Sequence, residues 1–286
     1  MKLKRSRMSV FILVIAVMLS GCGAAAKEEK LADPYLDPMS LSMGHAHGGS
    51  GAETPAEKGI KASWSWPEGK PEAGRPAKLR LQLADGAGKP LTKLDIVHEQ
   101  RLHLVAVSGD LRQFQHVHPD YIGDGSFEIG IAFPSGGPYT LFADFTPSGY
   151  GALTRSTIVE VSGEAPAPQP LKPSAQLSGE FEGMEVSLHY DHLMARMSTM
   201  MTFTFKDSRT GKPIRDLDLY LGAVGHVMIV DSTARTFLHV HPLNWGSSGP
   251  QAVFSAAFPE SGIYKMWGQF KRGGRIVTVP FTIEVP

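Results

Sequence analysis

Strict alternation of apolar and polar positions marks much of the chain from residue 60 onwards. "AKLRLQL" (77–83) and "MTFTF" (201–205) change sides at every residue, the period of a half-buried strand. "RLHLVAVS" (101–108), "SFEIGIAF" (126–133), "YTLFADF" (139–145) and "RIVTVPFTIEV" (275–285) are β-branched or aromatic runs bounded by Gly, Pro, Asp and Ser. About seven or eight short strands per hundred residues predict an all-β chain built from antiparallel sandwiches. "DHLMARMSTMM" (191–201) could form a helical turn, but the Thr and Phe that follow favour an irregular approach to a strand.

The pattern occurs twice. Lys89–Pro119 and Lys212–Pro242 align without a gap, and twelve of the 31 positions are identical. Chance would give about two, so this is an internal repeat. Further on, "FPSGGPYTLFADF" (133–145) matches "FPESGIYKMWGQF" (258–270). Each places a tyrosine, Tyr139 or Tyr264, just after a glycine turn, as in the tyrosine corner of Greek-key sandwiches. "SGEAPAPQPLKPSAQ" between the copies is proline-rich and too short to fold. The expected organisation is therefore two tandem antiparallel Greek-key, immunoglobulin-like sandwiches, at 59–162 and 177–286, joined by a linker at 163–176.

Each copy carries three histidines at the same offsets: His103, His116 and His118, then His226, His239 and His241. If tight two-residue turns at Gly109-Asp110 and Ser232-Thr233 close the hairpins, His103 lies opposite His116 and His226 opposite His239. His118 and His241, two residues on, share those faces. Three imidazoles then converge twice, with Cβ atoms about 5–8 Å apart. Such a set suits copper, zinc or nickel. A fourth ligand could be water, Asp95, Asp218 or His98, the last replaced by Leu221 in the second copy.

The N-terminal residues change the setting. "MKLKRSRMSVFILVIAVMLSGC" has a basic start, an apolar stretch and small residues before Cys22. It reads as a signal peptide (1–21), and Leu19-Ser20-Gly21-Cys22 resembles the lipobox of bacterial lipoproteins. The expectation is a lipid on Cys22 and a site of action at the outer face of the cytoplasmic membrane. Removing residues 1–21 takes four of the 28 basic residues, leaving 24 against 28 acidic ones. That balance gives no reason to expect nucleic acid as a partner. Cys22 is the single cysteine, so a lipidated chain has no thiol left for zinc fingers, thiol catalysis or a blue-copper centre. Residues 22–58 read as a flexible tether, within which Met39, Met43, His45 and His47 form a soft, copper-type ligand set. A second Met/His-rich patch spans His189–Met201.

No nucleophile elbow, phosphate loop or His-Glu-x-x-His motif is present, so the expected role is not enzymatic. Three readings of the histidines stay open. They bind a transition metal, copper before zinc; or they fix hairpins in a structural, interaction module of the envelope; or, more weakly, they hold zinc for hydrolysis. The layout "LHLVAVSGDLRQFQHVHP … FPSGGPYTLFADF" and its repeat resemble the YtkA-like and FixH-like immunoglobulin-like domains of bacterial envelope proteins. That resemblance implies copper handling or a role beside an envelope partner in oxidase assembly, with no enzymatic activity attached.

Overall fold

The computed structural model describes residues 53–286. Cys22, Met39, Met43, His45 and His47, with the expected signal peptide and most of the expected tether, lie outside the described residues. The last tether residues are ordered against the first domain. Thr54 caps a short helix, α1 (Pro55–Gly59), through a reciprocal capping box with Glu57, and Arg155 pairs with Glu53 at 2.9 Å. Among the described residues no helix is long and apolar enough to cross a membrane.

The first domain comprises β1 (Lys61–Ser65), β2 (Pro76–Ala84), β3 (His103–Ser108), β4 (Phe114–Val117), β5 (Asp120–Gly123), β6 (Ser126–Ala132), β7 (Gly137–Phe145) and β8 (Leu153–Val161). They form two antiparallel sheets, ordered β1-β2-β6-β5 and β4-β3-β7-β8. This is the immunoglobulin arrangement, in which the third and fourth strands leave the first sheet and the chain returns by a Greek key. The second domain comprises β9 (Ser178–Phe181), β10 (Met184–Tyr190), β11 (Ser198–Asp207), β12 (Leu217–Asp218), β13 (His226–Asp231), β14 (Phe237–Val240), β15 (Gln251–Ala257), β16 (Gly262–Arg272) and β17 (Arg275–Val285). Its sheets run β15-β11-β10-β9 and β14-β13-β16-β17, with β12 at the end of β16. Residues 191–197 form no helix, as the sequence led us to expect. Tyr264 donates to Glu260 O at 2.8 Å, and Tyr139 Oη lies 3.0 Å from Ser135 Oγ, so both turns are closed by their tyrosines.

Each sandwich fills its own interior from alternating positions. Leu79, Leu81, Phe127, Leu104, Ala106 and Leu141 meet in the first; Phe203, Phe205, Val227, Ile229, Phe254 and Phe270 meet in the second. The strands β3 and β13 depart from alternation, being buried on both faces. Their outer residues, Val105 and Val107, then Met228 and Val230, join a third apolar cluster with Leu111, Phe142, Phe237 and Trp267. That cluster lies between the two domains. Phe114 stacks on Trp267 at 4.7 Å, and Phe237 on Phe142 at 4.9 Å. Phe114 and Phe237 occupy equivalent positions of the two copies, as do Phe142 and Trp267. The same contact is therefore made once in each direction, an approximate two-fold arrangement. The proline-rich linker is held at both ends, by Gly136 N–H on Glu164 O and by Ser174 N–H on Thr282 O, each 2.8 Å. Leu171 packs onto the interdomain cluster.

Candidate metal centre between the domains

The hairpins close through longer loops than a two-residue turn. Ser108 pairs with Gln113 and Asp231 with Thr236, and Leu111 and Ala234 take left-handed φ values of 56° and 53°. The register is therefore two residues from the expected one. Val105, not His103, lies across from His116, and Met228, not His226, lies across from His239. A slip of two keeps every side chain on its face, where a slip of one would have scattered them. The three histidines of each hairpin accordingly still point the same way, towards the other domain.

Seven histidines meet there: the six hairpin residues and His98. His103 sits 5.3 Å from His116, 5.0 Å from His118 and 5.0 Å from His239, centroid to centroid. His98 sits 3.9 Å from His241 and 4.7 Å from His226. Two groups place one nitrogen from each ring within 4.8 Å of the others. The first is His103, His116 and His118. The second is His98, His226 and His241, in which the first domain's His98 stands where the sequence suggested His239. His239 is buried between the groups, and its Nδ1 is 2.8 Å from Asp144 Oδ2. Asp95 and Asp218, considered as further ligands, are engaged elsewhere: Asp95 accepts from Ser148 Oγ at 2.6 Å, and Asp218 from Gly274 N at 2.8 Å.

The hydrogen bonds behind the rings decide which nitrogens face inward. His103 Nε2 donates to Val97 O and His226 Nε2 to Tyr220 O, both at 3.0 Å. These carbonyls belong to equivalent tight turns, Val97–Gln100 and Tyr220–Ala223. Asp144 is in register with His103 on β7, and Gln269 with His226 on β16. Each reaches the other domain: His116 Nδ1 donates to Gln269 Oε1 at 2.8 Å, while His239 bonds Asp144. Gln269 is oriented by its own amide, which donates to Thr278 Oγ1. An imidazole whose outer N–H is held by a carbonyl or carboxylate presents a lone pair inward, the usual support of a metal-ligating histidine. In the first group this sets two lone pairs face to face, with His103 Nδ1 and His116 Nε2 3.1 Å apart.

Burial opposes any charge on these rings. Desolvation, with the neighbouring imidazoles His103 and His118, holds His116 well below its ordinary value. Desolvation likewise takes His118 to about 4 and His226 to about 3, and holds His239 far down. The Asp144 carboxyl is pushed up to about 7 by burial. Asp144 and His239 are thus both driven towards their neutral forms, and their contact works as a hydrogen bond more than as a charge pair.

The sequence missed His98 as a member of the second group, although its imidazole was noted as a possible extra ligand. The signal was its replacement by Leu221 in the other copy, whose equivalent turn keeps the same backbone pairing.

Comparison with known proteins adds little about the site. No curated protein matches. Among solved structures, the chain is similar to the Escherichia coli adhesin FdeC at 18% identity and a TM-score of 0.28, covering 82% of this chain and 66% of that one. It is similar to Salmonella alpha-2-macroglobulin at 15% identity and a TM-score of 0.29, covering 82% of this chain and 15% of that one. The bacterial integrin-binding protein invasin is similar at 14% identity and a TM-score of 0.23, covering 78% of this chain and 39% of that one. The chain thus spans less than two thirds of the length of each. One family model, described as a domain of unknown function (DUF8832), matches twice, over residues 56–163 and 179–286, so the chain belongs to that family as a tandem pair.

Proposed function

We propose that the chain is an extracytoplasmic, lipid-anchored protein that binds a transition metal, copper before zinc, for sequestration or delivery. The observation that carries this is the 3.1 Å approach of His103 Nδ1 to His116 Nε2, with the outer nitrogen of each ring committed to a carbonyl. Two lone pairs at that separation repel unless a cation lies between them. A shared proton would serve, but it would place an imidazolium where burial penalises it. A metal with Zn–N or Cu–N bonds of about 2.0–2.1 Å sets its ligand atoms roughly 3.3 Å apart, close to the observed spacing. His118 adds a third ring, and its buried Nε2 has no hydrogen-bond partner. The reading is of a binding protein and not an enzyme. The resemblance to YtkA-like and FixH-like domains supports copper handling and an envelope partner in oxidase assembly.

A structural reading is favoured by a different observation. The bonds from His116 to Gln269 and from His239 to Asp144 would hold the two domains together with no ion at all. Melting separates the two. In a full chain with Met39, Met43, His45 and His47 replaced by Ala, Cu(II) at a hundredfold excess over Kd should add about 2.7 kcal/mol of stability. His116→Ala with His118→Ala should remove the part due to the first group. If neither Cu(II) nor Zn(II) raises the melting temperature, the histidines are structural.

A further inference from the structure

The second group of histidines raises a separate question, because one of its members comes from the wrong copy. His98 lies on the loop between β2 and β3, in the turn closed by reciprocal bonds between Val97 and Gln100 at 2.8 and 3.0 Å. His98 and Glu99 both take left-handed φ values, 50° and 63°. That is the backbone of a type I′ turn, which favours Asn and Gly and is costly for side chains such as these. The equivalent turn carries Leu221 at φ 50° and Gly222 at 74°, with its second position relieved by glycine. The first copy keeps the strain and spends it on aiming an imidazole across the interface. There His98 is stacked on Trp245, centroids 5.0 Å apart and planes 13° from parallel, and packed against His226 and His241.

His226 supplies the second observation. It is fully buried, its Nε2 is committed to Tyr220 O, and its inward Nδ1 has no hydrogen-bond partner. A buried acceptor left so is destabilising unless something donates or binds to it. One ring nitrogen of each of His98, His226 and His241 lies within 4.8 Å of those of the other two.

We propose that His98, His226 and His241 form a second transition-metal site, one that neither domain can complete alone, so that a bound ion fastens the first domain to the second. The proposal rests on the metal reading of the first group but assigns different residues and a different consequence. Three neutral imidazoles with no thiol or carboxylate among them suit a borderline divalent ion such as Zn(II) or Cu(II). Trp245 covers one side of His98. The first group, by contrast, takes all three rings from the first domain.

Zinc retained after exhaustive dialysis tests this, in the full chain with Met39, Met43, His45 and His47 replaced by Ala. The parent should keep about two ions per chain, and His98→Leu, which installs the residue the other copy tolerates, about one. His241→Gln approaches the same site from the second domain and should also leave about one; it decides the matter if His98→Leu does not fold. His116→Ala with His118→Ala should leave about one as well, but a different one, so that adding His98→Leu to it leaves none. Two ions in both His98→Leu and His241→Gln would overturn the second site. So would a parent that keeps one ion, lost with His116 and His118 alone, although the first site would then stand. A parent that keeps none would overturn both.

Discussion

The two copies use equivalent positions for opposite ends of the same contacts, and differ at the few positions where symmetry would matter most. His116 and His239 correspond, and each hydrogen-bonds across the interface; the partner is Gln269 in one direction and Asp144 in the other. An amide there is neutral at every pH. A carboxyl there is buried and titrates near 7. His98 and Leu221 correspond too, and only the first carries a nitrogen that can act as a ligand. The repeat places histidines at the same offsets in two hairpins, and substitutions around them make their surroundings unequal. Shared histidines in a repeat therefore do not imply equivalent sites.

Acid should break the pairing most severely. His116, His118, His226 and His239 have folded-state values below the ordinary 6.5, so the stability they contribute is complete above that pH and is lost as pH falls towards 4. Asp144 works in the other direction: raised to about 7, its carboxyl favours the folded state as pH falls from 7 to 4. Four groups against one leave a net loss of about 4 kcal/mol per pH unit at most, at about 1.4 kcal/mol per group. Melting of chelator-treated protein should drop steeply between pH 6.5 and 4.5, and more steeply in Asp144→Asn. A flat profile would mean that these rings are hydrated or already charged.

The apolar contacts of the interface come next. Phe142→Ala and Trp267→Ala each remove one half of a reciprocal aromatic stack and should cost about 3–5 kcal/mol. Similar losses in urea melts would support the two-fold arrangement. A loss confined to one of them would show that a single domain carries the interface.

A smaller contrast lies in the hairpin loops. Ala234→Gly relieves a left-handed residue that has little side chain to lose, and should stabilise by about 0.5–1 kcal/mol. Leu111→Gly makes the same change at φ 56° but removes a side chain 1% exposed in the interdomain cluster, and should destabilise. Equal signs in thermal melts would contradict the burial difference between the two loops.

Much of this was legible in advance, and the reasons for the rest are physical. Alternation in "AKLRLQL" and "MTFTF" located β2 and β11, and the gapless repeat located both domains. The histidines could be assigned to one face because parity survives a two-residue error in register. What that face looks at was not legible. Val105 and Val107 read equally well as lining a domain's own core, and only the packing of β3 against another sheet shows that they line an interface. The second triplet was misassembled for the same reason. Offsets within a hairpin carry no information about a loop on the other domain, and His98 entered only as a candidate fourth ligand for the first triplet.

The linker, fastened at Gly136 and Thr282, alters what the interface must achieve. Two faces joined through so short a stretch meet at an effective concentration of about a millimolar. An association with a dissociation constant near 10 μM, weak between separate molecules, would then be closed about 99% of the time. Severing the chain within 165–173 would turn the pair into an ordinary bimolecular equilibrium, and docking would come to depend on dilution.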